Sequence, residues 1–272
     1  MDPRTYLFVP ADRPERFAKA LASGADAVVL DLEDAVASER KPAARDAIAT
    51  WASAATEAEK DRIVVRTNAA HTTEFGEDMR LLRDARLPLA MLAKAETPGH
   101  IGAVRSASPV TRVLALIESA RGVANAEALA ASQGVRRLVF GTLDFALDLD
   151  LDIAEQADGL AYAASRLVLA SRNADLPGPV AGVTPQIDDE ARLLADLAWA
   201  RRLGMGAKLC IHPRQVAAIH LALAPSAQAL DWARRVLAAA AGSATGALQL
   251  DGRMIDRPVI LNAQRTLQRA GQ

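Results

Sequence analysis

The stretch AVVLDLEDAV, residues 27–36, decides how the chain is read. Ala27 to Leu30 are an unbroken apolar run, the pattern of a strand buried on both faces, as in a parallel sheet. The run leads directly into three acids, Asp31, Glu33 and Asp34. A core strand that ends in negative charge fits a (β/α)8 barrel, where the C-terminal ends of the strands form the mouth at which chemistry occurs.

The same theme recurs on both sides. Short apolar or β-branched runs stand at 6–10, 27–33, 62–68, 89–96, 113–119, 137–144, 179–185 and 207–213. Each is followed by an Ala-, Leu- and Arg-rich stretch with helical spacing, the alternation of strand and helix. Asp12 near Pro14, Thr97 before Pro98, and Asp188 mark helix starts. Eight such units in about 225 residues fit the α/β class and a closed (β/α)8 TIM barrel, although an open eight-stranded sheet would show the same alternation. No G-x-G-x-x-G turn or P-loop follows the first strand, which argues against the nucleotide-binding open sheets. The strand pattern stops after about residue 225. Residues 226–272 then read as a helix, a polar break GSATGA at 242–247, the segment LQLDGRMIDRPVI, and a short terminal helix. This extension is too short to form an independent core.

Composition limits the function. The chain has 272 residues, 51% of them hydrophobic, and its 32 basic and 33 acidic residues leave a net charge of −1. That balance gives no general attraction to nucleic acid or to an anionic membrane. A single cysteine, Cys210, excludes an internal disulfide or a thiolate metal cluster. No apolar run approaches a membrane span, and the acid- and proline-bearing start is not that of a signal peptide, so a cytoplasmic location is expected.

Polar residues fall at the strand ends. Arg66 closes the third run, Lys94 and Glu96 the fourth, Glu118 the fifth, Asp144 the sixth and His212 the eighth. Glu118 and Asp144 suit a hard divalent cation, because Mg2+ takes one or two protein carboxylates and completes its octahedron with water and substrate oxygens. Arg66 suits a substrate carboxylate. The competing reading pairs these acids with Arg66 and Lys94 in a purely structural network. Glu33 and Asp34 read as supporting groups, bonded to metal waters or to Lys94 and Arg66, or as a charged rim. Lys94 is alternatively a Schiff-base amine. The four histidines show no zinc spacing, so His212 is expected at a helix start or lining the mouth. Arg13, Arg16 and Lys19 gather at a helix opening after the first strand, either as a phosphate site or as a solvated face, with Lys41 and Arg45 joining that patch or facing water.

With these residues in place, the sequence resembles the citrate lyase beta-subunit-like family of acyl-CoA lyases, within the HpcH/HpaI aldolase/citrate lyase group. The resemblance rests on LFVPADRPERFAKA, VVLDLEDAV, VVRTN, LAKAE, ALIESARG, FGTLD, LGMGAKLCIHPRQ and GRMIDRP, in order over nearly the whole chain. It implies Glu118 and Asp144 as Mg2+ ligands, Arg66 as the keto-acid-binding arginine, and Asp256 as a catalytic acid–base carried on a C-terminal lid into a neighbouring subunit. It therefore implies a homo-oligomer, commonly a trimer. Taken with the residue reading, it gives a catalytic set of Asp256, Arg66, Glu33 and Asp34, with Arg13, Lys19 and Lys94 toward the substrate. Ala11 departs from the Gly of the commoner family form, which bears on the CoA contact. The expected activity is Mg2+-dependent cleavage of a 3-hydroxy-carboxyacyl-CoA, of malyl-CoA or citramalyl-CoA type, to acetyl-CoA and a 2-keto acid. The alternatives are a citrate lyase beta subunit acting on a citryl-acyl carrier protein, a malyl-CoA thioesterase, and a CoA-independent 2-keto acid aldolase.

Overall fold

The eight apolar runs form eight parallel strands that close on themselves in sequence order. The computed structural model describes residues 2–153, 158–241 and 248–271. The strands are β1 (Thr5–Pro10), β2 (Ala27–Asp31), β3 (Ile63–Thr67), β4 (Leu89–Leu92), β5 (Arg112–Ile117), β6 (Val135–Phe140), β7 (Val180–Ala181) and β8 (Ala207–Cys210). β8 pairs back onto β1, with Tyr6 opposite Leu209, so the sheet has no free edge. The open-sheet alternative is thereby excluded.

Alternation along each strand fills two layers. Tyr6, Val29, Val64, Met91, Leu114, Leu116, Val139, Val180 and Leu209 pack together as one buried cluster. Their strand neighbours point the other way, toward the outer helices. β2 is buried at all five positions, which is why AVVL shows no polar alternation.

Several strands stop short of the expected limits. β2 ends at Asp31 because the Asp31 carboxylate accepts the Glu33 N–H at 2.9 Å, a local turn that replaces the sheet ladder. β4 ends before Lys94, whose positive φ of 48° is incompatible with a strand. The helix Glu190–Arg202 is capped by Asp189, which accepts from Arg192 N, and not by Asp188 as the sequence suggested. Asp188 instead pairs with Arg214 at 2.6 Å.

The chain divides into two compact units, Met1–Ile219 and His220–Gln272. In the second, the helices Ala227–Ala241 and Arg257–Arg269 pack around Ala233, Val236, Ile255 and Ala263. The expectation of no strand beyond residue 225 is corrected here. β9 (Leu248–Leu250) and β10 (Arg253–Ile255) form an antiparallel hairpin. Its turn is Asp251-Gly252, both at positive φ, the dipeptide that a two-residue hairpin turn demands. The expected break at 242–247 lies outside the described residues.

Candidate active site

Parallel register brings the first two charged strand ends together. Asp31 and Arg66 are direct partners across β2 and β3. Asp31 holds the guanidinium with two bonds, Arg66 Nε to Oδ1 at 2.7 Å and Nη2 to Oδ2 at 2.6 Å. Glu33 Oε2 approaches Nη1 at 2.8 Å, and Asp34 stands 3.8 Å from the same nitrogen. The Glu33 contact is ionic, because Oε2 is buried without an aligned hydrogen bond. Phe8 lies under the guanidinium, 5.0 Å from ring centre to Cζ. An arginine has five N–H donors, and the bonds to Asp31 occupy two, so Arg66 keeps donors for a further carboxylate.

Lys94 continues the chain of contacts. Its Nζ donates to Glu33 Oε1 at 3.0 Å, and its backbone N–H donates to Glu118 Oε1 at 2.8 Å. Burial pulls the ammonium's affinity for its proton down, but Glu33, Asp34 and Glu118 outweigh it, and the pKa lies above the ordinary lysine value. Lys94 is therefore held as a cation, the wrong state for a Schiff-base nucleophile. Burial raises the Glu33 carboxyl above its ordinary value against the opposing fields of Arg66 and Lys94.

Glu118 sits at the end of β5, 4% exposed. Burial first, then the fields of Glu33 and Asp144, push its carboxyl up to about 8. A buried carboxylate in such surroundings calls for a cation. Gly141 makes room for it: a Cβ there would lie 2.5 Å from Glu118 Oε2 and 2.7 Å from Glu118 Cβ. Asp144 is half-buried in the first turn of the helix Thr142–Asp148 that follows β6. Among the described residues no three His, Cys, Asp or Glu side chains gather as a protein-only metal cluster. Two carboxylates on one cavity are the smaller set that Mg2+ uses.

That cavity, of about 420 Å³, is lined by Asp31, Asp34, Arg66, Glu118 and Asp144, with Phe8, Leu116, Val183, Leu209 and Ile211 as its apolar wall. Glu33 and Lys94 touch this lining through Arg66 and Glu118. The cationic patch near the first strand faces solvent. Arg13 is exposed ahead of the five-residue helix Phe17–Leu21 and Lys19 is exposed on it, with Arg16 exposed as well. Lys41 and Arg45 neither join them nor face water: Lys41 is buried against Asn68, and Arg45 bonds Asp78 and Glu74. Ala11 is fully buried, its N–H donating to Asp31 O at 2.9 Å. His212 Nδ1 accepts the Arg214 N–H at the start of the helix Pro213–Leu223. Asp256 lies in the second unit, half-buried, as N-cap of the helix Arg257–Arg269, where it accepts Val259 N–H at 3.3 Å. Sequence reasoning missed two roles, that of Asp31 as the holder of Arg66 and that of Gly141 as the space for Glu118. Pairing VVLD with IVVR, the last four residues of each run up to its charged end, would have exposed the first.

A closed (β/α)8 barrel whose mouth combines paired carboxylates with an anchored arginine defines a lyase of the metal-assisted, oxo-acid class. The family comparison agrees: the model for HpcH/HpaI aldolase/citrate lyase matches residues 4–213, and the chain belongs to that family. A citrate lyase subunit beta-like protein of Mycobacterium tuberculosis is 37% identical over 98% of this chain and 95% of its own. A (3S)-malyl-CoA thioesterase of Cereibacter sphaeroides is 29% identical over 98% of this chain and 94% of its own. Among solved structures, the protein CitE from Mycobacterium tuberculosis in complex with magnesium, acetoacetate and coenzyme A superposes with a TM-score of 0.87 at 36% identity, covering 99% of this chain and 98% of that one.

Proposed function

We propose that the chain cleaves a 3-hydroxy-carboxyacyl-CoA of citramalyl-CoA or malyl-CoA type into acetyl-CoA and a 2-keto acid, using Mg2+ held by Glu118 and Asp144. The observation that carries this reading is the charge of the cavity. Its described lining has Arg66 as cation against Asp31, Asp34, Glu118 and Asp144, with an apolar wall opposite. Such a site demands a divalent cation and accepts one substrate carboxylate at Arg66. A second carboxylate at the cleaved end, as a citryl group would bring, meets no further cation in that lining. A hydrogen or methyl substituent fits the wall of Phe8, Leu116 and Val183 instead. The magnesium-bound relative supports the metal, and the coenzyme A in that complex supports the thioester.

Mg2+ bound there supplies Lewis-acid polarisation of the substrate's hydroxyl and carboxylate oxygens. Arg66 orients the carboxylate next to the carbinol carbon, with Asp31 and Glu33 fixing its plane. As the carbon–carbon bond breaks, the carbinol hydroxyl gives up its proton to solvent, the carbinol carbon becomes the carbonyl of the keto acid, and the bonding pair passes to the thioester α-carbon as its enolate. Asp256 is assigned the proton delivered to that carbon, on the resemblance of GRMIDRP, and removes it in the reverse condensation. On the same reading Asp256 belongs to a lid that serves a neighbouring subunit of a homo-oligomer. Arg13 and Lys19, both exposed, are assigned to meet CoA phosphates.

The test incubates the purified chain with citramalyl-CoA and, separately, malyl-CoA, each with Mg2+ or excess chelator, while resolving acetyl-CoA, free CoA and keto acid. Mg2+-dependent acetyl-CoA with pyruvate or glyoxylate is expected. Free CoA with an intact hydroxy acid would make the chain a thioesterase. No reaction with either would shift the substrate to a carrier-protein thioester or to a CoA-independent aldol.

A further inference from the structure

A second buried network lies behind Arg66, and the chemistry above does not use it. Asp78, fully buried on the helix Phe75–Asp84, accepts three N–H bonds. Its Oδ2 takes the Asn68 backbone N–H and Nδ2 at 2.8 Å each, and its Oδ1 takes Arg45 Nε at 2.7 Å. The Asn68 amide is thereby saturated. Its Nδ2 also donates to the Leu32 carbonyl at 3.1 Å, and its Oδ1 accepts from Lys41 Nζ. Leu32 separates Asp31 from Glu33, the two acids that hold Arg66, and its own N–H donates to the Arg66 carbonyl at 3.0 Å. A path of short bonds thus runs from Asp78 through Asn68 to the peptide between the two acids.

We propose that Asp78, acting through Asn68, is a positioning residue that sets the Asp31–Leu32–Glu33 turn and so the angle at which Arg66 and Lys94 face the mouth. The inference rests on the reading of Arg66 as the keto-acid anchor. Asp78 touches neither Arg66 nor the cavity, so its effect passes entirely through Asn68. Glu74 supplies the contrast, since it bonds Arg45 from the far side of Asp78 and makes no bond to Asn68. If the network only holds helices together, damage at Glu74 and at Asp78 should look alike. If it positions the turn, only damage at Asp78 reaches the substrate.

The experiment compares the full chain with D78N, N68A and E74Q. Asn at 78 keeps the volume, and because the cationic Arg45 holds the amide oxygen, the N–H2 turns toward the two Asn68 donors, which lose their acceptor. Each protein is assayed for condensation of acetyl-CoA with pyruvate or glyoxylate, for its thermal midpoint, and for hydrogen exchange at the Glu33 amide, which the Asp31 carboxylate protects. D78N and N68A are expected to raise the keto-acid KM by about tenfold or more, leave the acetyl-CoA KM within about twofold, and speed Glu33 exchange. E74Q lowers the midpoint and moves neither readout. The proposal is overturned if D78N and N68A lose thermal stability while keto-acid KM and Glu33 exchange stay at wild-type values, or if E74Q reproduces both changes. A wild-type chain that condenses no keto acid would sink the functional reading alone, and Glu33 exchange would then decide the positioning claim. Should D78N fail to fold, N68A carries the test with the Asp78–Arg45 pair intact.

Discussion

Adding one methyl group at Gly141 should cost the chain its metal. Gly141 has φ −83° and ψ 83°, and its φ is ordinary for any L-residue, so the substitution G141A meets no strain from φ. The cost comes from contact. The new Cβ would stand 2.5 Å from Glu118 Oε2, 2.7 Å from Glu118 Cβ and 3.3 Å from Leu116 Cδ1. Rotating the carboxylate relieves the first clash but not the second, because Glu118 Cβ is fixed to β5. Overpacking of this kind costs about 1–3 kcal/mol. If Glu118 yields, the loss appears in metal affinity as a factor of roughly 5 to 150, at about 1.4 kcal/mol per tenfold. If the barrel yields, the same energy lowers the thermal midpoint of the metal-free chain by about 2–4 °C per kcal/mol. Titration calorimetry with Mg2+ or Mn2+, beside thermal unfolding in chelator, separates the two. An alanine variant with affinity within about twofold of wild type and an unchanged midpoint would refute both the role of Gly141 and the assignment of Glu118 to the metal.

Three further outcomes follow from the same geometry. Glu118 has an ordinary pKa of 4.5 and lies at about 8 in the fold, so between those values the folded chain holds a proton that the unfolded chain has released. Metal-free stability should therefore fall as pH rises through that window. Mg2+ should reverse the loss with proton release near neutral pH, and E118Q should flatten the slope in thermal unfolding against pH. R66K keeps the charge but gives up the two-bond grip of Asp31. Disturbing a buried ion pair can cost about 3–5 kcal/mol when one partner is removed outright, so denaturant unfolding should show a smaller loss, accompanied by a raised keto-acid KM. D256N retains a good helix cap, because Asn and Asp cap equally well, and should leave stability within about 0.5 kcal/mol while turnover falls by a hundredfold or more. Unchanged turnover in that variant would remove Asp256 from the chemistry.

The fold was legible because a buried strand and an outer helix have different hydrophobic periods, and eight repetitions of the pair leave few architectures. What failed at the strand ends failed for a local reason. The sequence shows that Asp31 and Lys94 follow apolar runs, but it does not show that the Asp31 side chain captures the Glu33 N–H, or that Lys94 takes a positive φ. The hairpin at 248–255 was a different case. Its Asp251-Gly252 turn is a strong signal, but the flanking strands are three residues each, too short for alternation to register.

The site shows where one-dimensional reading stops. Charge at the strand ends marked Arg66, Glu118 and Asp144 as mouth residues, since a barrel interior tolerates such groups at its rim and seldom below it. Pairing is another matter, because it depends on register, and a shift of one position between β2 and β3 would take Asp31 off Arg66. Lys41 and Arg45 illustrate the consequence. Four residues apart, they look like one cationic face, free to join the patch at the first helix or to meet water, yet the fold sends Lys41 to Asn68 and Arg45 to Asp78 and Glu74. Their charge is met inside the fold by Asn68, Asp78 and Glu74. The cations left exposed near the first strand are Arg13, Arg16 and Lys19, and on the proposal that CoA phosphates meet Arg13 and Lys19, neutralising those two should weaken binding of CoA without weakening binding of the keto acid.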